Sequence, residues 1–331
     1  MCSICLTASR WQAGTALVGS RDMNPRLGIA LKIASVLAFT VMFTCVKAAS
    51  AEVPPGEAVF FRSFFALLPI LVYLAILGDL PSALRTSNPY GHLWRGLLGV
   101  ASMGLNFAAL GLLPLPDAIA IGYLMPLLST AFAAIFLGER VRAFRWSAIL
   151  IGFIGVLIIL WPRLDVLRGP SGASAEATGA LCALGGATVV ALATVVLRTL
   201  VVAERTTTIV IYFSVMCTIA SLFTIPFGWQ VPSPGVAILL IMTGLSGGLG
   251  QIFVTECYRH AETSTVAPFE YTSMLFGILI GYVLFDEVPT PAVITGGAIV
   301  IAAGLLLIWR EQQTGLKQGA AAPRKPEREA P

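Results

Sequence analysis

The chain has 331 residues, of which 57% are hydrophobic and only 11% charged, with a formal net charge of +4. Soluble domains carry about 25% charged residues, and the mean hydropathy here is +0.86. These values exclude a soluble globular domain, because the chain has too few polar side chains to cover one. We therefore expect lipid to be the solvent over most of its surface.

Ten apolar stretches follow one another after a mixed, polar segment 1–26, which is predicted to be cytoplasmic. Each approaches the roughly 20 residues that a helix needs to cross a bilayer, and continuous apolar runs of this length favour helices over barrel strands. The predicted fold class is an all-α membrane protein with ten transmembrane helices. Residues 311–331, rich in Ala, Pro and charge, are predicted to form a disordered cytoplasmic tail. The stretches cover 27–50, 57–77, 91–113, 117–137, 144–161, 177–200, 207–228, 235–258, 264–285 and 290–309.

The distribution of basic residues predicts the orientation of these helices. If the N-terminus is inside, the cytoplasmic segments hold fourteen Lys and Arg residues, whereas the outer segments hold only Arg163 and Arg168. Cytoplasmic loops are enriched in Lys and Arg. The sequence thus predicts a multi-pass protein of the cell inner membrane with both termini cytoplasmic.

The chain also contains an internal repeat of five helices, 27–161 and 177–310. Because five is odd, the second copy must enter the membrane from the opposite side, which makes the halves inverted repeats. Secondary transporters use this arrangement to hold a solute near the midplane, so we expect one midplane cavity lined mainly by helices 1–4 and 6–9. An offset of about 148 residues aligns Gly99 with Gly247, Tyr123 with Tyr271, Glu139 with Glu287, and Trp161 with Trp309; slightly different offsets align Lys47 with Arg198 and Arg62 with Tyr212.

Several short motifs in this order resemble a known family. Acidic turns, Gly138-Glu139 and Asp286-Glu287, follow helices 4 and 9, Lys47 ends helix 1, and helix 4 contains Tyr123-Leu124-Met125-Pro126. This set resembles the EamA-type branch of the drug/metabolite transporter superfamily. The resemblance implies export of amino acids and other metabolites, exchange of S-adenosylmethionine, or import of vitamins.

Within that family, two runs resemble bacterial riboflavin importers: one begins Gly56-Glu57-Ala58-Val59, the other Leu113-Pro114-Leu115-Pro116. Riboflavin import is therefore the most specific function that we expect. An exporter or exchanger of amino acids or S-adenosylmethionine is the alternative within the class. A non-transport membrane subunit or enzyme is the alternative from another class.

Glu270 is the strongest candidate site residue. An ionisable side chain within a span costs roughly 2.5–3.5 kcal/mol on insertion scales, so such residues usually have a function. It follows Pro268, where helix 9 is predicted to be locally broken, an arrangement typical of solute or ion sites. A partly desolvated glutamate could also carry a proton. The structural alternatives are a pair with Arg198 and an acid within reach of the cytoplasmic interface.

Lys47 and Arg62 lie near the outer ends of adjacent helices and could attract an anionic or carbonyl-rich solute. Alternatively, they extend outward or pair with Glu57 and lipid phosphate. Lys32 and Arg95 lie near cytoplasmic ends and are predicted to reach the headgroups along their apolar stems.

Aromatic and amide side chains complete the candidate binding site. Tyr123 and its repeat mate Tyr271 could bracket a planar ring, and Phe60 and Tyr212 offer further rings on the matching helices 2 and 7. Asn106 and Gln251 could hydrogen-bond a solute or, equally, join helices to one another.

The remaining expectations concern chemistry and partners. With two histidines and no phosphate-binding loop, we expect no catalytic constellation, cofactor or metal site, and no enzyme activity. The expected partners are a small-molecule solute and membrane lipid, without nucleic acid. Helices 5 and 10 carry no interior charge and are expected at the periphery or at a homodimer contact.

Overall fold

A computed structural model describes residues 24–78, 84–137, 143–164, 175–261 and 263–321. Within these ranges every regular element is a helix. The first half contains α1 (Pro25–Ala49), α2 (Pro55–Leu77), α3 (Pro89–Leu112), α4a (Leu115–Gly122), α4b (Leu124–Leu137) and α5 (Ala143–Leu164). The second contains α6 (Ala175–Ala203), α7 (Thr206–Leu222), α8 (Pro234–His260), α9a (Thr263–Val266), a 3₁₀ turn (Ala267–Tyr271), α9b (Thr272–Phe285) and α10 (Pro291–Ala321).

Helix starts follow from local sequence. Pro25, Pro55 and Pro89 each occupy the first helical position, where the missing N–H costs nothing. The side chains of Asn24 and Asn88 cap α1 and α3 by accepting hydrogen bonds from the third helical N–H, at 3.2 and 2.9 Å. These local signals position the first and third helices before any tertiary contact is considered.

Eight helices in the described part of the chain are long and apolar enough to cross a membrane. The apolar parts of α5 (Trp146–Pro162) and α7 (Thr207–Leu222) are shorter, and α7 ends six residues before the predicted position. The multi-pass, all-helical class is thus established, whereas the count of ten spans stays a prediction. At the other end, α10 continues to Ala321, into the tail that composition predicted to be disordered.

The fourth and ninth helices are both interrupted, and at equivalent repeat positions. The expected break beside Pro268 is confirmed as a 3₁₀ turn ending at Tyr271. Its repeat mate Tyr123 separates α4a from α4b, with its N–H bonded to the carbonyl of Ala120 at 3.3 Å instead of continuing the α-helix. A break frees backbone groups in a place where irregular backbone is tolerated only against protein or a cavity.

The main helix contacts of the first half recur when the two halves are exchanged. The extensive contact of α1 with α8 corresponds to that of α6 with α3, and α2 with α8 corresponds to α7 with α3. Two pairs map onto themselves: α2 with α7, and α5 with α10. This exchange pattern is the one expected for two repeats related by a two-fold axis.

The α5–α10 pair packs backbone against backbone through glycine. A Cβ atom on Gly155 would lie 2.8 Å from the carbonyl oxygen of Gly296, and one on Gly296 would lie 2.4 Å from the carbonyl oxygen of Gly155. Small residues allow such close approach in membranes. Both helices also expose large apolar side chains, including Leu150, Ile154 and Ile294, so they form an outer pair of the bundle.

We expect Gly155→Ala to destabilise the protein by about 1–3 kcal/mol, because the added methyl group must push α10 away. Gly104→Ala is the matched control: its Cβ would meet no atom within 4 Å, and alanine improves helix propensity by about 1 kcal/mol. Thermal unfolding of the purified variants should show a lower Tm for Gly155→Ala and an unchanged or higher one for Gly104→Ala. Equal Tm values would show that the glycine contact does not limit stability.

Glu204 ties the end of α6 to the start of α3. Its Oε1 accepts hydrogen bonds from the hydroxyls of Thr86 and Ser87 and from the N–H groups of Ser87 and Asn88, at 2.7–3.0 Å. Burial raises the pKa of this carboxyl, but the hydrogen bonds outweigh burial and hold the pKa below its usual value. The carboxylate therefore remains ionised and holds the loop at neutral pH.

Candidate functional site

A central cavity of about 420 Å³ lies between the two halves. Its lining comes from α1–α4 and from α6–α9, including the turn before α9b, as the inverted-repeat argument predicted. No described residue of α5 or α10 belongs to it. The predicted residues Arg62, Asn106, Tyr123, Gln251 and Glu270 all lie in this lining. Aromatic and sulfur-containing side chains supply much of the rest, among them Phe39, Met42, Phe43, Met103, Phe107, Met125 and Phe213.

One wall of the cavity, built by α2, α3 and α7, carries two arginines. The guanidinium carbon of Arg95 lies 4.1 Å from the ring centre of Phe213, and that of Arg62 lies 5.9 Å from the same ring. Arg62 is only 6% exposed. The Nε of Arg95 is buried and has no hydrogen-bond partner within the described residues. We call this group, Arg62, Arg95 and Phe213, the arginine wall.

Glycines allow the helices to approach closely enough to form this wall. A Cβ on Gly99 of α3 would lie 2.3 Å from the ring of Phe213, so only glycine lets that ring lie against α3. A Cβ on Gly247 would lie 3.3 Å from Nε of Arg62. Gly247 is the midpoint of α8, which places the Arg62 side chain near the middle of the bundle.

Glu270 of the 3₁₀ turn, which lines the cavity, forms an ion pair with Lys32 of α1. The side chain of Lys32 is 3% exposed, whereas that of Glu270 is 48% exposed. The expectation that Lys32 extends to the headgroups was therefore wrong, because the carboxylate of Glu270 holds its ammonium group inside the bundle. Glu270 is left with one face toward the cavity.

The two tyrosines at the helix breaks contact each other directly. Their ring centres are 5.1 Å apart at an interplanar angle of 66°, an edge-to-face geometry that leaves no room for a planar ring between them. The hydroxyl of Tyr123 bonds to the hydroxyl of Ser273 at 2.6 Å, inside the cavity. Tyr271 does not line the cavity; its hydroxyl packs against Gly304 of α10.

Lys47 also lies outside the cavity lining and away from the arginine wall. Its ammonium group forms a 2.8 Å salt bridge with Glu287 and donates to the carbonyls of Leu113 and Leu110, at 2.6 and 3.3 Å. The second carboxylate oxygen of Glu287 accepts the N–H of Leu115 at 2.7 Å. The pair thus ties the ends of α1, α3 and α9b to the start of α4a, instead of facing a solute with Arg62.

Tyr212 likewise lies away from the cavity. Its hydroxyl donates to the carbonyl of Leu84 at 3.0 Å, and its ring stacks on His92 at 4.7 Å. The neighbouring Phe213 faces the cavity in its place. Asn106 donates to the carbonyl of Ser102 at 2.8 Å, so within the cavity it is held by its own helix.

A second cavity of about 280 Å³ lies where α1 ends and α2 begins. Phe107, which is 3% exposed, belongs to the lining of both cavities. Glu57 is at the same end and accepts the N–H of Gln230 at 3.1 Å. It forms no salt bridge with Arg62, which removes one of the structural alternatives for that arginine.

Sequence reasoning missed Arg95, Phe213, Lys32 and Ser273. A usable signal existed for Arg95, because Gly96 and Gly99 mark a face of α3 that another helix approaches closely. Nothing local marks Phe213 among eighteen phenylalanines. Glu139 and the side chain of Arg198, the repeat mates of Glu287 and Lys47, lie outside what the structure describes.

The fold and the cavity define a multi-pass membrane protein with a solute-sized internal site. The sequence matches the EamA-like transporter family twice, over residues 26–161 and 177–310. The chain belongs to this family.

Individual relatives carry different solutes. The chain is 32% identical over 288 residues to the pseudopaline exporter of Pseudomonas aeruginosa, covering 85% of this chain and 95% of that protein. It is 30% identical over 261 residues to a riboflavin transporter of Rhizobium johnstonii, covering 78% of this chain and 83% of that protein. An S-adenosylmethionine uptake transporter of Rickettsia conorii is 26% identical over 257 residues, covering 78% and 84%.

A solved crystal structure supports the fold alone. It superposes with a TM-score of 0.61 at 20% identity, covering 87% of this chain and 98% of the other.

Proposed function

We propose that the chain is a secondary transporter that moves a small organic metabolite across the cell inner membrane, with both termini cytoplasmic. The observation that carries this proposal is the central cavity, because both halves of the chain build it. Its volume of about 420 Å³ falls in the range of small-molecule sites, roughly 300–1,000 Å³.

Transport requires the cavity to open alternately to the two sides. Two inverted repeats can do this by exchanging conformations around a fixed site. The broken helices α4 and α9 are suited to move, since they contact each other at Tyr123 and Tyr271 and carry cavity residues on both sides of the breaks. Phe107 lines both cavities, so its side chain is a candidate to move when they join.

Among solutes, we put first a carboxylate-bearing metabolite of the amino-acid type, exported or exchanged. Arg62 and Arg95 support this choice: they pair with no carboxylate of the described residues, and such guanidinium groups in a cavity favour an anionic ligand. The pseudopaline exporter and the S-adenosylmethionine uptake transporter among the relatives are compatible with either direction of movement.

Riboflavin import, which the sequence favoured, is the second candidate. The aromatic lining from Phe39, Phe43 and Phe107 suits a planar ring system, and the arginines could donate to its carbonyls. Riboflavin transporters of Rhizobium johnstonii and Vibrio cholerae, 30% and 28% identical, support it.

Vesicles of both orientations test these proposals. We expect membranes containing the chain to accumulate one of three labelled solutes, riboflavin, S-adenosylmethionine or an amino-acid mixture, faster than membranes without it. Inside-out and right-side-out preparations report the direction, and an uncoupler reports dependence on the proton gradient. Growth of a riboflavin auxotroph on added riboflavin is an independent test of the vitamin.

A variant in which the cavity is filled tests whether the solute passes through it. Ala118 lines the cavity, and Ala118→Phe should abolish transport by filling it. Ala101→Phe adds the same volume on an exposed position of the neighbouring α3 and should leave transport intact. Equal activity of the two variants would reject the cavity as the route.

A further inference from the structure

The two charges of the arginine wall are energetically unfavourable inside a membrane protein. Each guanidinium is permanently charged, carries five N–H donors and has no hydrogen-bond acceptor. A charge within a span costs roughly 2.5–3.5 kcal/mol on insertion scales. By contrast, Lys32 and Lys47 of α1 are each paired with a carboxylate. Neither Arg62 nor Arg95 has a salt bridge to any carboxylate of the described residues.

Phe213 offsets only part of this cost. A cation over an aromatic face gains about 0.5–2 kcal/mol, and one ring serves both arginines here. The ring accepts no conventional hydrogen bond, so the N–H donors of the guanidinium groups are not satisfied by it. Nε of Arg95 is buried and finds no hydrogen-bond partner in the part of the chain that the structure describes, although buried donors are nearly always hydrogen-bonded.

Both arginines belong to the cavity lining, next to apolar side chains. A ligand in the cavity can therefore reach both guanidinium groups while its body lies against Phe39, Phe43 and Phe107. An oxyanion is the group that satisfies two such cations at once, because its oxygens accept several charge-assisted hydrogen bonds in the fork geometry of arginine.

We propose that Arg62 and Arg95, held on Phe213, form an anion subsite that binds the carboxylate, or an equivalent oxyanion, of the transported solute. This inference rests on the proposed transport function and narrows its substrate class. It also assigns a binding role to Arg95, which lies near the start of α3 where a basic residue ordinarily extends to the headgroups. A neutral solute without an oxyanion leaves this subsite unfilled.

The test compares two probes of nearly the same shape, phenylacetate and its neutral amide, phenylacetamide. Equilibrium dialysis of the labelled probes is measured on purified full-length protein in nanodiscs, in chloride-free buffer because chloride would compete for the same arginines. The expected result is that phenylacetate binds at least about tenfold more tightly, since hydrogen bonds to charged groups are worth about 1.5–3 kcal/mol. Equal binding of the two probes, or no binding of phenylacetate at millimolar concentration, overturns the proposal without any variant.

Variants assign the preference to residues. Arg95→Gln and Arg62→Gln should each remove most of the tenfold preference, whereas Arg95→Lys should retain part of it because the charge remains. Arg26→Gln, at an exposed arginine at the start of α1, is the matched control and should bind like the unchanged protein. A preference that survives in the Arg62→Gln/Arg95→Gln double variant overturns the assignment.

The outcome is separable from that of the proposed function. If a solute is transported but phenylacetate shows no preference, the anion subsite is rejected and transport stands. If phenylacetate is preferred but no solute crosses the vesicle membrane, the subsite stands and transport is rejected.

Discussion

Glu270→Gln is expected to lower the free energy of unfolding by about 3 kcal/mol and to abolish transport. The reason for the first effect is the burial of Lys32, whose side chain is 3% exposed and whose ammonium group loses its ion pair with Glu270. The reason for the second is that Glu270 faces the central cavity. Thermal unfolding in detergent and solute flux in vesicles measure the two effects separately.

The reverse replacement should be much milder for stability. Lys32→Met removes the buried charge and fills its space with an apolar side chain, and it leaves Glu270, which is 48% exposed, able to be solvated. We expect a cost of about 1 kcal/mol or less. This asymmetry follows from the difference in exposure between the two partners of one ion pair.

The double variant Lys32→Met/Glu270→Gln decides between a structural and a functional role for Glu270. Without the buried cation, stability should return close to that of the unchanged protein. Transport should remain lost if Glu270 contacts the solute or carries a proton. Recovery of transport together with stability would reduce Glu270 to a partner of Lys32.

Lys47→Met is expected to reduce transport at least about tenfold and to lower the free energy of unfolding by on the order of 3 kcal/mol. The substitution leaves the carboxylate of Glu287, 17% exposed, without its cation and the carbonyls of Leu110 and Leu113 without their donor. Because these groups join both halves of the chain, their loss should disturb the conformational equilibrium as well as the fold. Solute flux in vesicles measures the loss of transport, and the Tm of the purified variant measures the loss of stability.

A charge swap tests the geometry of this cluster. In Lys47→Glu/Glu287→Lys the charges still attract, but a glutamate cannot donate to the two carbonyls and a lysine cannot accept the N–H of Leu115. We therefore expect the swap to fail and Lys47→Arg, which keeps a cationic donor, to restore most of the activity. A fully active swap would show that only the Coulombic attraction matters.

The sequence predicted those properties that depend on long apolar runs and on the repeat. Spans of lipid-facing residues must be apolar whatever their neighbours are, so the helical membrane class followed from composition and segment length. The repeat then predicted which helices line the cavity, because two inverted copies place equivalent helices around one axis. The break at Pro268 was equally local, since a proline cannot donate the hydrogen bond that continues a helix.

The tertiary structure decided which ionisable side chains face inward. Lys32, Lys47, Arg62 and Arg95 are all basic residues within one to two turns of a helix end, and on sequence alone each could extend to the headgroups. Their directions depend on partners far away in the chain: Glu270 for Lys32, Glu287 for Lys47, and Phe213 for both arginines. A long, flexible cation points toward the group that best compensates its charge, and only the packing of helices from both halves determines where that group is.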